Sequence, residues 1–190
     1  MGPTTTAADL DTGWSDALDL AGRLHGGRPL PRLELGALAE GEHATLEASA
    51  TYAERSMGQH RGHGPAWVDE ARADLVVTTL RILVGHPERG VLSLWHVDLE
   101  HLHLEHLPFE QNHLAEDHRD LQHEQAHQAS LGRGGEGGEW RLDLHPVGIN
   151  PRVRLTGRAI PVVALHLAHT AFPTTWSRLS GLLPLLEQAA

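Results

Sequence analysis

The chain has 190 residues, 40% of them hydrophobic, which fits one globular domain with short appendages. It contains no cysteine, and this excludes disulfide bonds, thiolate metal ligands and a cysteine nucleophile. All 15 basic residues are arginine and the formal net charge is −10, so a broad basic surface for nucleic acid is not expected.

The N-terminal part of the chain is predicted to be an extension with one short helix and a linker. Residues 1–12 are small and polar, and we expect them to be disordered. Residues 15–25 predict a helix with Ser15 as its N-cap, an apolar face and a stop at the glycine pair 26–27. Two prolines then disfavour helix, so residues 28–42 are expected to form an extended linker.

Short runs of alternating apolar and polar residues predict about seven antiparallel strands. In the fifth of them, Leu102 and Leu104 alternate with His101, His103 and Glu105, which is typical of a strand with one buried and one solvated face. The predicted strands are residues 43–53, 72–78, 80–84, 91–96, 98–107, 140–145 and 152–156.

Two further segments differ from these strands. Residues 108–139 are polar and rich in histidine and glutamate, and they predict an insertion that is partly helical around 113–129. Residues 158–171 predict an apolar helix after the last strand, with Pro161 in its first turn. The helix residues expected to face the strands are Ile160, Val163, Ala164 and Leu167. The large aromatic residues expected in the core are Trp67, Trp95 and Trp140.

Part of this pattern resembles the pleckstrin-homology-like superfamily, which includes the GRAM domains. The residues that carry the resemblance are Leu75–Thr78, Leu80–Val84, Leu92–Trp95 and the strand and helix of 151–170. The same combination resembles functionally uncharacterised proteins of high-GC bacteria, and the replacement of every lysine by arginine is typical of such genomes. The resemblance implies an α+β, mainly β fold: a barrel or sandwich of about seven antiparallel strands closed by a C-terminal α-helix.

The resemblance also divides the chain and implies a binding loop. Residues 1–42 would be the extension, 43–171 the domain with its insertion at 108–139, and 172–190 a C-terminal tail. In this family, phosphoinositide binders use a basic loop between the first two strands. The candidate binding residues of that loop here are Arg55, His60, Arg61 and His63, and two arginines are too few for tight phosphoinositide binding.

The insertion contains a sequence match to a zinc-peptidase motif. His123 and His127, with Glu124 between them, fit H-E-x-x-H, in which two histidines bind zinc and the glutamate activates water. A segment this rich in histidine and glutamate produces such a match by chance, and the residues that follow do not continue the metzincin pattern. Loosely held zinc, nickel or copper is a simpler interpretation. The candidate metal ligands are His113, His118, His123 and His127.

These observations favour a non-enzymatic binding or scaffold module without a cofactor. It would bind a protein partner, or weakly a membrane surface, through residues 55–66 or an exposed strand edge. No apolar run reaches the ~18 residues of a membrane helix, and the absence of cysteine suits a reducing cytoplasm. The alternatives are a zinc-dependent hydrolase using His123, Glu124 and His127, and a histidine-rich protein that responds to metal or pH through its 16 histidines.

Overall fold

The computed structural model describes residues 7–36, 38–55, 67–107, 139–148, 152–179 and 182–189. Within these ranges the chain forms seven strands and three α-helices, with short 3-10 helices between some of them. The elements are α1 (Ala7–His25), β1 (Ala44–Arg55), β2 (Trp67–Thr78), β3 (Arg81–His86), β4 (Gly90–Trp95), a 3-10 helix (His96–Asp98), β5 (Leu99–Leu107), β6 (Glu139–Pro146), β7 (Val153–Thr156), α2 (Ile160–Ala171), a second 3-10 helix (Trp176–Arg178) and α3 (Leu183–Ala189).

The seven strands form one antiparallel sheet in the order β4-β3-β2-β1-β7-β6-β5. This confirms the predicted mainly β, α+β fold with seven strands and a C-terminal helix. The expected closed barrel is wrong, because within the described ranges no hydrogen-bonded ladder joins the edge strands β4 and β5. These strands are connected by the 3-10 helix, where the His96 N–H donates to the Leu80 carbonyl, 2.9 Å away, rather than by a tight hairpin that would pair them.

All seven predicted strands are present, with ends that differ from the prediction by a few residues. The largest difference is in β2, which begins at Trp67 rather than at residue 72 and pairs Trp67 with Arg55 of β1. An irregularity in the register between Tyr52 and Glu54 allows this pairing to continue to the end of β1.

Helix α2 lies at the centre of the core. All four residues expected to face the strands, Ile160, Val163, Ala164 and Leu167, are fully buried. The helix contacts α1 as well as strands β1, β2, β5 and β6, which explains why its sequence is apolar on nearly every side. Pro161 lies in its first turn, as predicted.

Helix α1 is longer than predicted and its apolar face is covered. It begins at Ala7, so Ser15 is an interior residue and not an N-cap, and residues 7–12 are helical rather than disordered. It packs on α2 and α3, and Ala17 and Ala21 are fully buried. Its predicted end is confirmed: Gly27 has φ +72°, and the Arg28 N–H donates to the Arg23 carbonyl at 3.0 Å.

We expect Gly13→Ala to destabilise the protein although alanine favours helix. A Cβ at Gly13 would lie 2.0 Å from the carbonyl oxygen of Arg158, so α1 would have to move away from the segment before α2. This should outweigh the intrinsic gain of about 1 kcal/mol and lower the free energy of unfolding, measured in urea, by about 1–3 kcal/mol. The matched control is Gly22→Ala in the same helix, where the nearest atom is 3.9 Å away, and this change should stabilise. A stabilised Gly13→Ala protein would show that α1 does not approach Arg158.

The linker before β1 is anchored by a buried ion pair. The Glu42 side chain is fully buried, and its two carboxylate oxygens accept hydrogen bonds of 2.9 Å from Nε and Nη2 of Arg81. The Thr78 hydroxyl and the Ala39 N–H also donate to this carboxylate, at 2.6 and 3.1 Å. Its hydrogen bonds with Arg81 are the main reason that the pKa of Glu42 is lowered to about 2. The linker therefore ends in a fixed contact with the β2–β3 turn.

No helix in the described part of the chain is long and apolar enough to cross a membrane.

Candidate functional site

A line of cationic and aromatic side chains crosses the sheet on its outward face, which is the face opposite the buried core residues. The line lies near one end of the strands. It consists of His101, His145, Arg152, Arg55 and Trp67, and we call it the cationic row. Strand pairing brings its members together: His101 lies opposite His145, and Arg55 lies opposite Trp67. The Arg55 N–H donates to the Arg152 carbonyl at 2.9 Å. Because Leu144 pairs with Val153, the next position places His145 beside Arg152.

Strand alternation turns these side chains away from the core. In β6 the residues Leu142 and Leu144 are fully buried, so His145 lies on the opposite face. In β7 the buried residue Val153 likewise places its neighbours Arg152 and Arg154 on the outward face. The row is thus a consequence of the two-residue period of the strands and of the register between them.

Two arginines of this row, Arg55 and Arg152, lie opposite each other on neighbouring strands. Arg55 is half-buried, Arg152 is exposed, and neither guanidinium has an ion pair or side-chain hydrogen bond to another described residue. Like charges directly opposite each other across strands are destabilising. A bound anion between the two guanidinium groups would remove this repulsion, so the pair is suited to bind one.

Trp67 is held as a flat surface beside the two arginines. The Arg154 guanidinium lies 3.7 Å from the centre of the Trp67 ring. The orientation of the Arg154 guanidinium is fixed by two hydrogen bonds that it donates to Asp143, of 2.8 and 3.0 Å. Asp143 therefore neutralises Arg154, and the excess positive charge of this surface comes from Arg55 and Arg152.

At the other end of the row two histidine rings are stacked. The rings of His101 and His145 are 3.9 Å apart with an interplanar angle of 16°. Nδ1 of His145 is buried and has no hydrogen-bond partner among the described residues. Burial, together with the charges of His101 and Arg152, lowers the pKa of His145. At neutral pH the ring of His145 is therefore uncharged beside Arg152.

The structure describes only one of the residues predicted to bind a ligand or a metal. Arg55 is at the end of β1 and belongs to the cationic row. The other predicted residues, His60, Arg61, His63, His113, His118, His123 and His127, lie outside the described residues. Across the ranges that are described, no group of three or more histidine, aspartate or glutamate side chains is placed to hold a metal ion.

The prediction that three tryptophans lie in the core is wrong for Trp67 and Trp95, whereas Trp140 packs against the core at its margin. Trp67 and Trp140 are half-buried, and Trp95 is 40% exposed. Each has a planar partner instead: Arg154 for Trp67, Arg81 at 4.7 Å for Trp95, and Trp14 at 4.6 Å for Trp140. Helix α2 fills the interior with small and aliphatic side chains, which leaves these large rings at its margins or on the outward face.

A cleft of about 710 Å³ lies elsewhere, between α1, the linker, β1 and α2. At its base His166 is 3% exposed, and its Nδ1 is 3.1 Å from the hydroxyl oxygen of Thr45. That hydroxyl donates its proton to the Val77 carbonyl at 3.3 Å, so the imidazole Nδ1–H is the donor to Thr45. Burial lowers the pKa of His166 to about 4, and the ring is neutral. This pair joins α2 to β1.

Sequence reasoning found Arg55 but missed the other members of the cationic row. Trp67 and Arg152 flank loops, and a strand pattern alone does not show that they share a face with Arg55. No family model matches this chain, nor does any curated protein or any solved structure.

Proposed function

We propose that this protein is a non-enzymatic binding module that holds an acidic segment of a partner protein against its cationic row. The observation that carries the proposal is a pair of arginines, Arg55 and Arg152, at opposed backbone positions on the outward face of a chain whose net charge is −10. The scaffold proposed for this surface is pleckstrin-homology-like in its strand order and in the helix that directly follows the last strand, with a sheet that is open rather than closed.

The chemistry of the row favours carboxylates beside an apolar group. Each guanidinium presents a planar fork of N–H donors that matches a carboxylate in two hydrogen bonds. Trp67 lies next to Arg55 and is half-buried, with Arg154 over one face of its ring, so an apolar side chain of the partner would pack on the part of the indole that stays exposed. The arginines would recognise negative charge and the indole an apolar side chain, and both contacts serve to bind a partner.

The dimensions of the row suit an extended peptide. It crosses five neighbouring strands in single file, a length of about 20 Å at the usual strand spacing of roughly 4.8 Å. A peptide of about six extended residues would cover it. The rest of this chain is acidic, and an anionic bilayer would be repelled by it because a bilayer extends beyond the row. A peptide confined to the row would be shielded by salt from acidic groups more than about 8–10 Å away.

Removing one guanidinium from the row is expected to weaken this binding about tenfold, a loss of roughly 1.4 kcal/mol. The test uses Arg152→Ala, because Arg152 is exposed and the variant should fold as the parent does. A fluorescently labelled peptide rich in glutamate and aspartate is titrated with each protein, and anisotropy gives the dissociation constant. Affinity for the parent should fall as salt concentration rises, because the contact is electrostatic and exposed.

The matched control is Arg28→Ala, which removes one exposed positive charge at the end of α1 and changes the net charge equally. It should leave the affinity within twofold. Equal losses in Arg152→Ala and Arg28→Ala would mean that only net charge matters, and would contradict the site. Binding to vesicles containing phosphatidylserine, with none to the acidic peptide, would contradict a protein partner.

A further inference from the structure

Among the described strands, the edge strand β4 is paired on one side only, and it carries no charge. Its sequence is Gly-Val-Leu-Ser-Leu-Trp, and its only hydrogen-bonded neighbour among the described strands is β3. It contains no proline and no register irregularity against β3. An uncharged, regular edge strand presents free backbone N–H and C=O groups to any strand that can approach.

The opposite edge of the sheet is protected in a way that β4 is not. Strand β5 has the sequence Leu-Glu-His-Leu-His-Leu-Glu-His-Leu, which places ionisable side chains along its whole length. Charged residues on an edge strand are a common defence against pairing with another sheet. Within the described part of the chain, the contrast between the two edges identifies β4 as the edge available for pairing.

The side chains of β4 also leave the core incompletely covered. Leu92 and Leu94 face the core but are only half-buried, whereas their neighbours on β3, Val84 and Ile82, are fully buried. On the outward face Val91 is 71% exposed. A further strand beside β4 would remove these apolar surfaces from water.

We propose that β4 pairs with β4 of a second copy of this chain, antiparallel about a two-fold axis, to join the two seven-stranded sheets edge to edge. Ser93 would then lie opposite Ser93 of the second copy. In this register, the two side chains of each opposed pair point to the same face of the joined sheet. Leu92 meets Leu94 of the second copy on the core side, and Val91 meets its Trp95 on the outward side.

Charge and self-complementarity both favour a second copy as the occupant. The strand itself has no charged residue, and the guanidinium of Arg81 beside Ser93 is neutralised by its ion pair with Glu42, so two copies meet without opposing unpaired like charges. The Val91–Trp95 pair is an aromatic and β-branched combination, which is favourable across antiparallel strands. Each copy carries a net charge of −10, and this repulsion between copies is screened by salt.

The contact is small, so the dimer should dissociate on dilution. Strand β4 provides six residues, whereas a standard stable interface uses about 20–30 residues on each side. Sedimentation velocity of the full chain, from low micromolar to submillimolar concentration, should show a monomer that becomes a dimer. The dimer fraction should rise with added salt, opposite to the salt dependence of binding at the cationic row.

Ser93→Lys tests the axis of the dimer directly. Ser93 is exposed, and its hydroxyl accepts a long hydrogen bond of 3.4 Å from Nη1 of Arg81, whose charge is paired with Glu42. The variant should therefore remain folded, which its melting curve checks, but two ammonium groups would face each other on the axis. We expect it to remain monomeric across the whole concentration range. The matched control is Ser93→Thr, which keeps a small hydroxyl side chain on a strand-favouring residue and should preserve the dimer.

Three outcomes would overturn the proposal. The first is a parent protein that stays monomeric at every concentration and salt. The second is a dimer that Ser93→Lys leaves unchanged, which would place the interface elsewhere. The third is slow hydrogen exchange, in dilute monomer, at the backbone amides of Val91 and Ser93, which point away from β3. This would mean that another part of the same chain covers the edge.

Discussion

Replacement of Leu167 by aspartate is expected to abolish the cooperative unfolding transition of this protein. Leu167 lies in the middle of α2 and is fully buried. The change removes apolar burial of about 1.5–3 kcal/mol and places a carboxylate where the surrounding residues are apolar, at a cost of several kcal/mol more. Together these losses are comparable to the whole stability of a domain, about 5–15 kcal/mol.

The measurement is circular dichroism during heating and in urea, with two companion variants. Leu167→Ala should remain folded and lose about 2–5 kcal/mol, because it leaves a cavity without a charge. Val97→Asp introduces the same carboxylate at a residue that is 87% exposed and should change stability by less than about 0.5 kcal/mol. If Leu167→Asp unfolds with the parent's midpoint, α2 does not occupy the core.

The strands were predictable because a half-buried sheet requires alternation and the chain supplies it. Leu102 and Leu104 are buried, while His101 remains exposed on the other face. Helix α2 was equally clear, since a segment that is apolar on every side must lie inside. The prediction of a closed barrel failed because closure depends on how β4 and β5 meet in space, and the local pattern of neither strand contains that information.

The start of α1 and the cationic row depend on contacts between distant parts of the sequence. Gly13 is a poor helix former, yet it lies inside α1 because only a residue without a side chain can approach the Arg158 carbonyl so closely. Arg55 and Arg152 become neighbours through the pairing of β1 with β7. Their shared face follows from that register, and it could be predicted only if the strand order were already known.

The two proposed surfaces use different parts of the sheet and different forces. The cationic row crosses five strands and depends on charge, whereas the β4 edge depends on backbone hydrogen bonds and apolar contacts. In the proposed dimer the two sheets extend each other, so each copy would keep its own cationic row. A partner with two acidic segments would then bind more tightly than one with a single segment, by an amount that the spacing of the segments determines.

The stability of this protein is expected to fall steeply as the pH is lowered from neutrality, because two histidines are buried without charge. Burial lowers the pKa values of both His96 and His166 to about 4, whereas an unfolded histidine titrates near 6.5. Between these values the unfolded chain binds more protons than the folded one. The stability that the neutral rings provide is therefore present above pH 6.5 and is lost as the pH falls toward 4.

The expected loss is about 4 kcal/mol between roughly pH 7.5 and pH 5, about 2 kcal/mol for each ring, measured by urea unfolding at a series of pH values. Burial also lowers the pKa values of His106, His145 and His169, and these shifts act in the same direction. The Glu42 carboxylate contributes to stability in a separate pH range. Its pKa is about 2 in the folded protein and ordinarily 4.5, so its stabilising effect is lost as the pH falls from 4.5 toward 2. Measurements that stop at pH 5 therefore isolate the histidines.

The variant that checks this assignment is His96→Leu. Neither ring nitrogen of His96 has a hydrogen bond of good geometry among the described residues, and its only polar contribution is a weaker one from the Thr79 backbone, so leucine of similar size should fit at little cost. The variant should be at least as stable as the parent at pH 5, and its loss between pH 7.5 and pH 5 should shrink by about 2 kcal/mol. An unchanged loss in His96→Leu would show that His96 is not buried in the folded protein, because a ring exposed to water would titrate alike in both states.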